Sequence, residues 1–212
     1  GYVLPAAIDK IICFAFEKNN SNQSRIIAID LNDEFEINLA DPIELTDNMW
    51  TNYLRGVLKQ LKLKGFKVEG FNCVFSSTIP VGSGLSSSAA LECGFLFGLN
   101  ELFNLNIKPV DIALMGQSAE HWVGINCGIM DQFSSVMGLE NKVIKIDCRT
   151  LEYEYHNADF NDYSLILFDS NVKHTLMTSA YNERREQCEE GSATVKNNFP
   201  EITSFRNCTE QH

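Results

Sequence analysis

One junction constrains this chain more than any other stretch: Ile79-Pro80-Val81-Gly82-Ser83-Gly84-Leu85-Ser86-Ser87-Ser88-Ala89-Ala90. It follows a short run, residues 71–76, that alternates apolar and polar as a strand does, and it precedes a long helical pattern over residues 86–103. Two glycines permit positive φ and let a ligand approach the backbone closely. The serines then open a helix whose first-turn N–H groups lack intrahelical partners and carry the positive end of the dipole, a setting that suits phosphate oxygens. Serine hydroxyls add donors, and one of them can ligate Mg2+. The stretch is not a Walker loop, because no Lys follows its second Gly, and it is not a GxGxxG fingerprint. The plainer reading is a glycine-rich turn with a serine N-cap. Three successive serines exceed what one cap needs. The helix they open is rich in Ala, Leu and Phe on most sides and is expected to be central and buried.

The elements around that junction set the fold class. Strands are expected at residues 10–16, 25–30 and 34–39, the three forming a meander with an Asn-Asp turn, then a helix over 48–63 closed by Gly65. After the buried helix come a helix opened by Pro109 and running to about Trp122, a loop at 124–128 and a short helix over 129–137. Strands at 142–147, 152–155 and 165–169 and a charged helix from Tyr181 through Glu190 and onward complete the pattern. Strands, then helices, then strands again read as α+β rather than a regular parallel series. A weak boundary falls where polar residues cluster at 157–162.

Composition closes off several classes. The formal net charge is −11, the opposite of a nucleic-acid footprint. Seven cysteines, an odd number with no CxxC pair, read as buried free thiols in a reducing compartment rather than a zinc site. No stretch reaches the roughly 18–20 apolar residues of a membrane span. There is no signal-peptide pattern, and a cytoplasmic protein is expected. The start lacks Met and runs directly into a strand pattern, and the end follows a helix without a closing element, so both ends are expected to be cut from a longer chain.

Two acids downstream are candidates for chemistry. Glu120 lies late in the Pro109 helix, in Ser118-Ala119-Glu120-His121, and Asp131 opens the next one, in Gly128-Ile129-Met130-Asp131-Gln132-Phe133. Taken singly, Glu120 reads as an exposed helix charge and Asp131 as a favourable dipole partner. Trp50 and Tyr53, one turn apart, read first as core. His121, His156, His174 and His212 have no metal spacing, and Lys173, Arg184 and Arg185 read as solvated.

PxGxGLSSSA resembles the phosphate-loop motif of the GHMP small-molecule kinases, and the triple serine resembles their galactokinase branch. AEH followed by CGIMDQF, and the W-x-N-Y-x-x-G block from Trp50, are similar to the same branch. The resemblance runs through nearly the whole chain. It implies a two-layer GHMP kinase N-terminal domain (ribosomal protein S5 domain 2-like) over residues 1–160 and the first elements of a ferredoxin-like C-terminal domain over 161–212. It further implies that Gly82, Ser83, Gly84, Leu85, Ser86, Ser87 and Ser88 wrap nucleotide phosphates and that Ser88 and Glu120 hold Mg2+. Asp131 would face the sugar C1 hydroxyl, as general base or as orienting group, Gly128 would touch the sugar through its backbone, and Trp50 would lie near the adenine. His121 is then structural. The implied activity is ATP-dependent phosphorylation of α-D-galactose at C1, with ATP and galactose as partners, no nucleic acid, no membrane and a monomeric state. N-acetylgalactosamine or another sugar as acceptor, or a non-catalytic sugar and ATP sensor, are the alternatives. Gly1-Tyr2-Val3-Leu4-Pro5-Ala6-Ala7 resembles the residues just after the galactokinase signature, so the signature's Arg and its sugar-gripping Glu-His-Asp group would lie outside this chain. So would the third glycine-rich motif. The 212 residues alone are therefore expected to bind Mg-ATP weakly and to transfer no phosphate.

Overall fold

A computed structural model describes residues 1–80, 82–158, 163, 166–168 and 177–209, with side chains from 181 onward in the last segment. Alternation decides the first sheet. In β2 (Ile12–Lys18) Ile12, Phe14 and Phe16 turn inward, while Cys13, Ala15 and Glu17 stay exposed. β3 (Gln23–Ala28) and β4 (Asp33–Asn38) pair antiparallel around an Asn32 in the left-handed region. β5 (Phe71–Ser77) buries Phe71, Cys73 and Phe75.

The expected meander does not form. The strand order is β2-β5-β3-β4, with β5 antiparallel to β2 and parallel to β3. Its inward Phe71, Cys73 and Phe75 are fully or almost fully buried, which suits a central position. Local turn chemistry marks where strands end and is silent on which strand inserts between two others.

Helices cover this sheet. α1 (Met49–Leu63) starts without a side-chain cap from Asn48, and Asn52 ties the loop before it to the helix. Its Nδ2 donates to the Thr46 carbonyl at 2.7 Å and its Oδ1 accepts from the Thr46 N–H at 2.9 Å. Gly65, at φ +77°, ends the helix, with the Phe66 N–H reaching back to the Leu61 carbonyl. α2 (Ser87–Phe103) is buried as expected, with Phe95, Leu96 and Leu99 at 0% exposure. Burying such a side chain contributes about 1.5–3 kcal/mol. α3 (Pro109–Val123) packs on α1 and α2, and α4 (Met130–Met137) on α2 and α3.

β1 (Tyr2–Val3), β6 (Lys142–Asp147) and β7 (Tyr153–Asn157) form a second, antiparallel sheet in the order β1-β6-β7. Its Ile144 and Ile146 pack with Ala113 of α3 and Phe133 of α4 in a core of their own. α3 thus faces two cores, giving Ile112, Met115 and Ala119 to the first and Ala113 to the second. α5 (Met177–Asn198) and a 3-10 turn at Phe205–Asn207 follow. Arg206 ties that turn to Asp147 at 2.6 Å and covers the Tyr2 ring.

The strand expected over 165–169 falls largely outside the described residues, and its described members Ile166, Leu167 and Phe168 belong to no regular element. All seven cysteines are free thiols, but only Cys73 and Cys93 are buried. Cys13 sits at an outward position of β2, which an apolar run does not reveal. Among the described residues no helix is long and apolar enough to cross a membrane.

Candidate active site

β5 delivers the glycine-serine loop. Its last residues are anchored, because the Ser77 N–H and Ser76 hydroxyl both donate to Asp30 in the turn after β3. The chain then tightens, with Ser83 Oγ donating to the Pro80 carbonyl at 2.8 Å. Gly82 at φ +74°, Gly84 at +75° and Ser86 at +55° alternate with Ser83 and Leu85, which lie at negative φ. Alternating handedness turns successive N–H groups toward one concavity, the arrangement called an anion nest. The glycines reach it freely, whereas Ser86 holds a left-handed conformation that non-glycine residues seldom adopt.

Ser86 sits at the N-cap of α2, yet its side chain makes no capping bond. The serine-cap reading of this stretch therefore fails. The first-turn N–H groups of α2 are left for another acceptor, at the positive end of a 17-residue buried helix.

In the first turn of α2, Ser88 Oγ donates to Glu120 Oε1 at 2.8 Å. Glu120 is not an exposed helix charge but only 6% exposed. Its Oε2 accepts from Gln132 Nε2 at 2.6 Å and from the Cys127 thiol at 3.3 Å. Burial pushes the Glu120 carboxyl up, the Ser88 and Cys127 hydrogen bonds oppose that, and the negative charge of Asp131 adds to it. Ser88 and Glu120 are thus in contact, and Asp131 is the residue before Gln132, whose side chain binds Glu120. Asp131 lies half-buried in the first turn of α4.

The loop joining α3 and α4 is held from two sides. His121 Nε2 at 2.9 Å and Gln117 Nε2 at 3.2 Å both donate to the Cys127 carbonyl. From α5, Asn182 accepts from the Asn126 N–H and donates to the Gly124 carbonyl, and the Gly128 N–H donates to the Tyr181 hydroxyl at 3.2 Å. Gly128 is exposed there.

Trp50 packs as the core reading of its sequence block expects. Its ring packs edge-on against Phe35 and Phe75 in the core. Its indole N–H donates to Asp33 Oδ2 at 2.9 Å. Asp33 also lines a cleft of about 400 Å³ with Ile27, Ala28, Ile29, Asn32 and Glu34. That cleft does not contain the Ser88–Glu120 pair. It shares with the loop the turn carrying Asp30, which anchors the end of β5.

Glu92, Tyr181 and Asn182 lie outside every motif of the sequence, and Asn52 and Gln132 lie inside two of them without a role that the motif reveals. Among these Glu92 left a signal, as an acid in the middle of a helix that is apolar nearly all round.

Hard oxygen donors in the site fit magnesium. Ser88 Oγ and Glu120 Oε1 lie together, and among the described residues no cluster of three or more His, Cys, Asp or Glu exists to form an all-protein cage. Magnesium commonly takes one or two protein oxygens and completes its shell with phosphates and waters.

Comparison with known proteins follows this geometry. The family model "GHMP kinases N terminal domain" matches residues 52–139. A galactokinase of Actinobacillus pleuropneumoniae serotype 3 is 43% identical over 192 residues, covering 89% of this chain and 50% of that protein. One of Thermosipho africanus is 36% identical over 212 residues, 100% of this chain and 57% of that protein. The chain spans about half the length of the curated relatives it matches. The crystal structure of Lactococcus lactis galactokinase complexed with galactose superposes with a TM-score of 0.83 at 28% identity, over 100% of this chain and 55% of that one. A mevalonate kinase of Methanococcus jannaschii, at 19% identity over 76% of this chain and 50% of its own, shares the fold with a TM-score of 0.63.

Proposed function

We propose that the chain is part of a GHMP kinase and supplies the phosphate site and one wall of the sugar site of a galactokinase. The reaction is transfer of the γ-phosphoryl group of ATP to the C1 hydroxyl of α-D-galactose. The oxygen of that hydroxyl bonds to the γ-phosphorus, the bond to the β–γ bridging oxygen breaks, and ADP leaves with its electron pair. The observation that carries this reading is the contact of Ser88 with Glu120 at the uncapped start of α2.

Each residue then has a task. The nest from Gly82 to Ser86 and the free N–H groups of Ser87 and Ser88 hold phosphate oxygens. Ser88 and Glu120 would hold Mg2+, which when bound neutralises charge on the β- and γ-phosphates. Asp131 accepts the hydrogen bond of the C1 hydroxyl and is the carboxylate placed to receive its proton. The Gly128 N–H, now donated to Tyr181, faces the sugar, and Tyr181 shares that wall. Adenine belongs in the cleft whose rim residue Asp33 holds Trp50. The seven free thiols suit a reducing compartment, and we place the protein in the cytoplasm.

The test is ADP release by the native full-length protein with galactose, N-acetylgalactosamine and no sugar. Galactose is expected to be turned over by far the fastest. Equal turnover of the acetamido sugar would overturn the substrate, and tight binding of ATP and galactose without ADP release would make the protein a sensor.

A further inference from the structure

Glu92 lies four residues after Ser88 on α2, at 0% exposure. Neither of its carboxyl oxygens has a hydrogen-bond partner, and Gln132 Oε1, also buried, has none either. These orphans are neighbours. Gln132 is the polar side chain acting on Glu92, and both crowd Gly116, where a Cβ would lie 3.4 Å from Gln132 Cγ and 3.9 Å from Glu92 Cβ. The amide nitrogen of Gln132 is already committed to Glu120 Oε2 at 2.6 Å and lies 3.6 Å from Cys127 Sγ.

What remains between Glu92 and Gln132 is a set of acceptors with no donor. A buried acceptor without a partner costs about 1–3 kcal/mol, and an unpaired buried ion costs several. A single hydrogen on the Glu92 carboxyl removes the ion and pairs two of the three oxygens, leaving one neutral carbonyl oxygen. Reversing the Gln132 amide does not, because its oxygen would then face the Glu120 carboxylate, acceptor against acceptor. The orientation that serves an ionised Glu120 demands a donor on the Glu92 side.

We propose that Glu92 is a neutral carboxylic acid that donates its O–H to Gln132 Oε1, and that it is a positioning residue for Glu120 through the Gln132 amide. The hydrogen-bond chain runs Glu92 to Gln132 to Glu120, where it meets the hydroxyl of Ser88. Burial first and then the charge of Glu120 push the Glu92 carboxyl well up; the Gln132 side chain opposes them without reversing the direction, and the net is in keeping with a retained proton. The role of the chain rests on the kinase reading of Glu120, whereas the proton on Glu92 does not.

Two variants of the full-length protein separate the parts. Glu92→Gln keeps a donor for Oε1 without a charge, and Glu92→Leu fills a similar volume without a donor. Partners one shell out from a metal-binding group typically carry about 10- to 100-fold in metal affinity or activity. Glu92→Leu is expected to raise the Mg2+ concentration for half-maximal rate, and the KM for Mg-ATP, by about that much, with a smaller change in the KM for sugar. Glu92→Gln is expected to stay within about threefold of wild type on each constant. Glu92→Gln as damaged as Glu92→Leu would show that an ion is required, and an unimpaired Glu92→Leu would show that nothing is positioned.

An infrared difference spectrum at neutral pH, wild type minus Glu92→Gln, needs neither turnover nor the leucine variant. It should contain a protonated-carboxyl C=O band that shifts in D2O. Its absence overturns the proposal, and is what a trapped water donating to an ionised Glu92 would give. If the wild type transfers no phosphate, the kinase reading falls and this band still decides the state of Glu92.

Discussion

The two sides of α2 obey opposite rules. Toward the four-stranded sheet it meets rings: Phe95 packs among Phe14, Phe16 and Phe71, with centroids 5.7–6.4 Å apart. Gly94 and Gly98 make room for them, since a Cβ at Gly98 would lie 2.0 Å from the Phe16 ring. Toward α3 and α4 the same helix presents Ser88, Glu92 and Cys93 to Glu120, Cys127 and Gln132. One side gains from burial and needs no particular hydrogen bond. The other buries two carboxyls and recovers the cost only through a donor for every acceptor. A helix apolar nearly all round is thus a scaffold whose polar exceptions mark the chemistry.

The sharpest way to break that division is to change chemistry on the polar side without touching packing. Asp131→Asn keeps size and helix position, and it is expected to lower kcat by about 10²- to 10⁴-fold, the range carried by a positioned acid or base. Its urea midpoint should stay within about 0.5 kcal/mol of wild type, as for a substitution away from the core. Turnover near the wild-type rate would remove Asp131 from the reaction.

The aromatic side should give the reverse. Gly98→Ala adds one methyl where the Phe16 ring stands, and overpacking of that kind costs about 1–3 kcal/mol. Chemical denaturation should show that loss, while kcat per folded molecule stays unchanged. A fall in kcat at constant stability would mean that the two sides of α2 are coupled.

This asymmetry also explains what the sequence made legible. Apolar periodicity placed most helices and strands to within two or three residues at their ends, because burial against the sheet writes a period into the chain. The serine-rich junction was legible because three serines opening an apolar helix exceed one cap, whereas Glu120 and Asp131, ordinary helix acids when taken singly, were legible only through the resemblance of the motifs that hold them. The insertion of β5 between β2 and β3 was not, since strand order depends on contacts distant in sequence. Nor was the support of the site. Gln132, Asn182 and Tyr181 look like ordinary helix residues until the fold brings them to Glu120, Asn126 and Gly128.

The smallest effect isolates one proton on the polar side. The Glu92 carboxyl, ordinarily near 4.5, is held well above that in the folded protein, chiefly by burial. Below the ordinary value both folded and unfolded chains carry the proton, and the contribution to stability is complete. As pH rises past it, the unfolded chain releases the proton and the folded one keeps it, so wild-type stability falls, by up to about 1.4 kcal/mol per pH unit, until the folded carboxyl itself ionises. Glu92→Gln has no such proton to keep, while Glu120 remains in both proteins and cancels. Urea unfolding at a series of pH values above the ordinary carboxyl range should therefore show the variant gaining on wild type, by up to about 1.4 kcal/mol per pH unit. Parallel curves would mean that Glu92 ionises alike in both states, and the donor on which Gln132 depends would have to be something else.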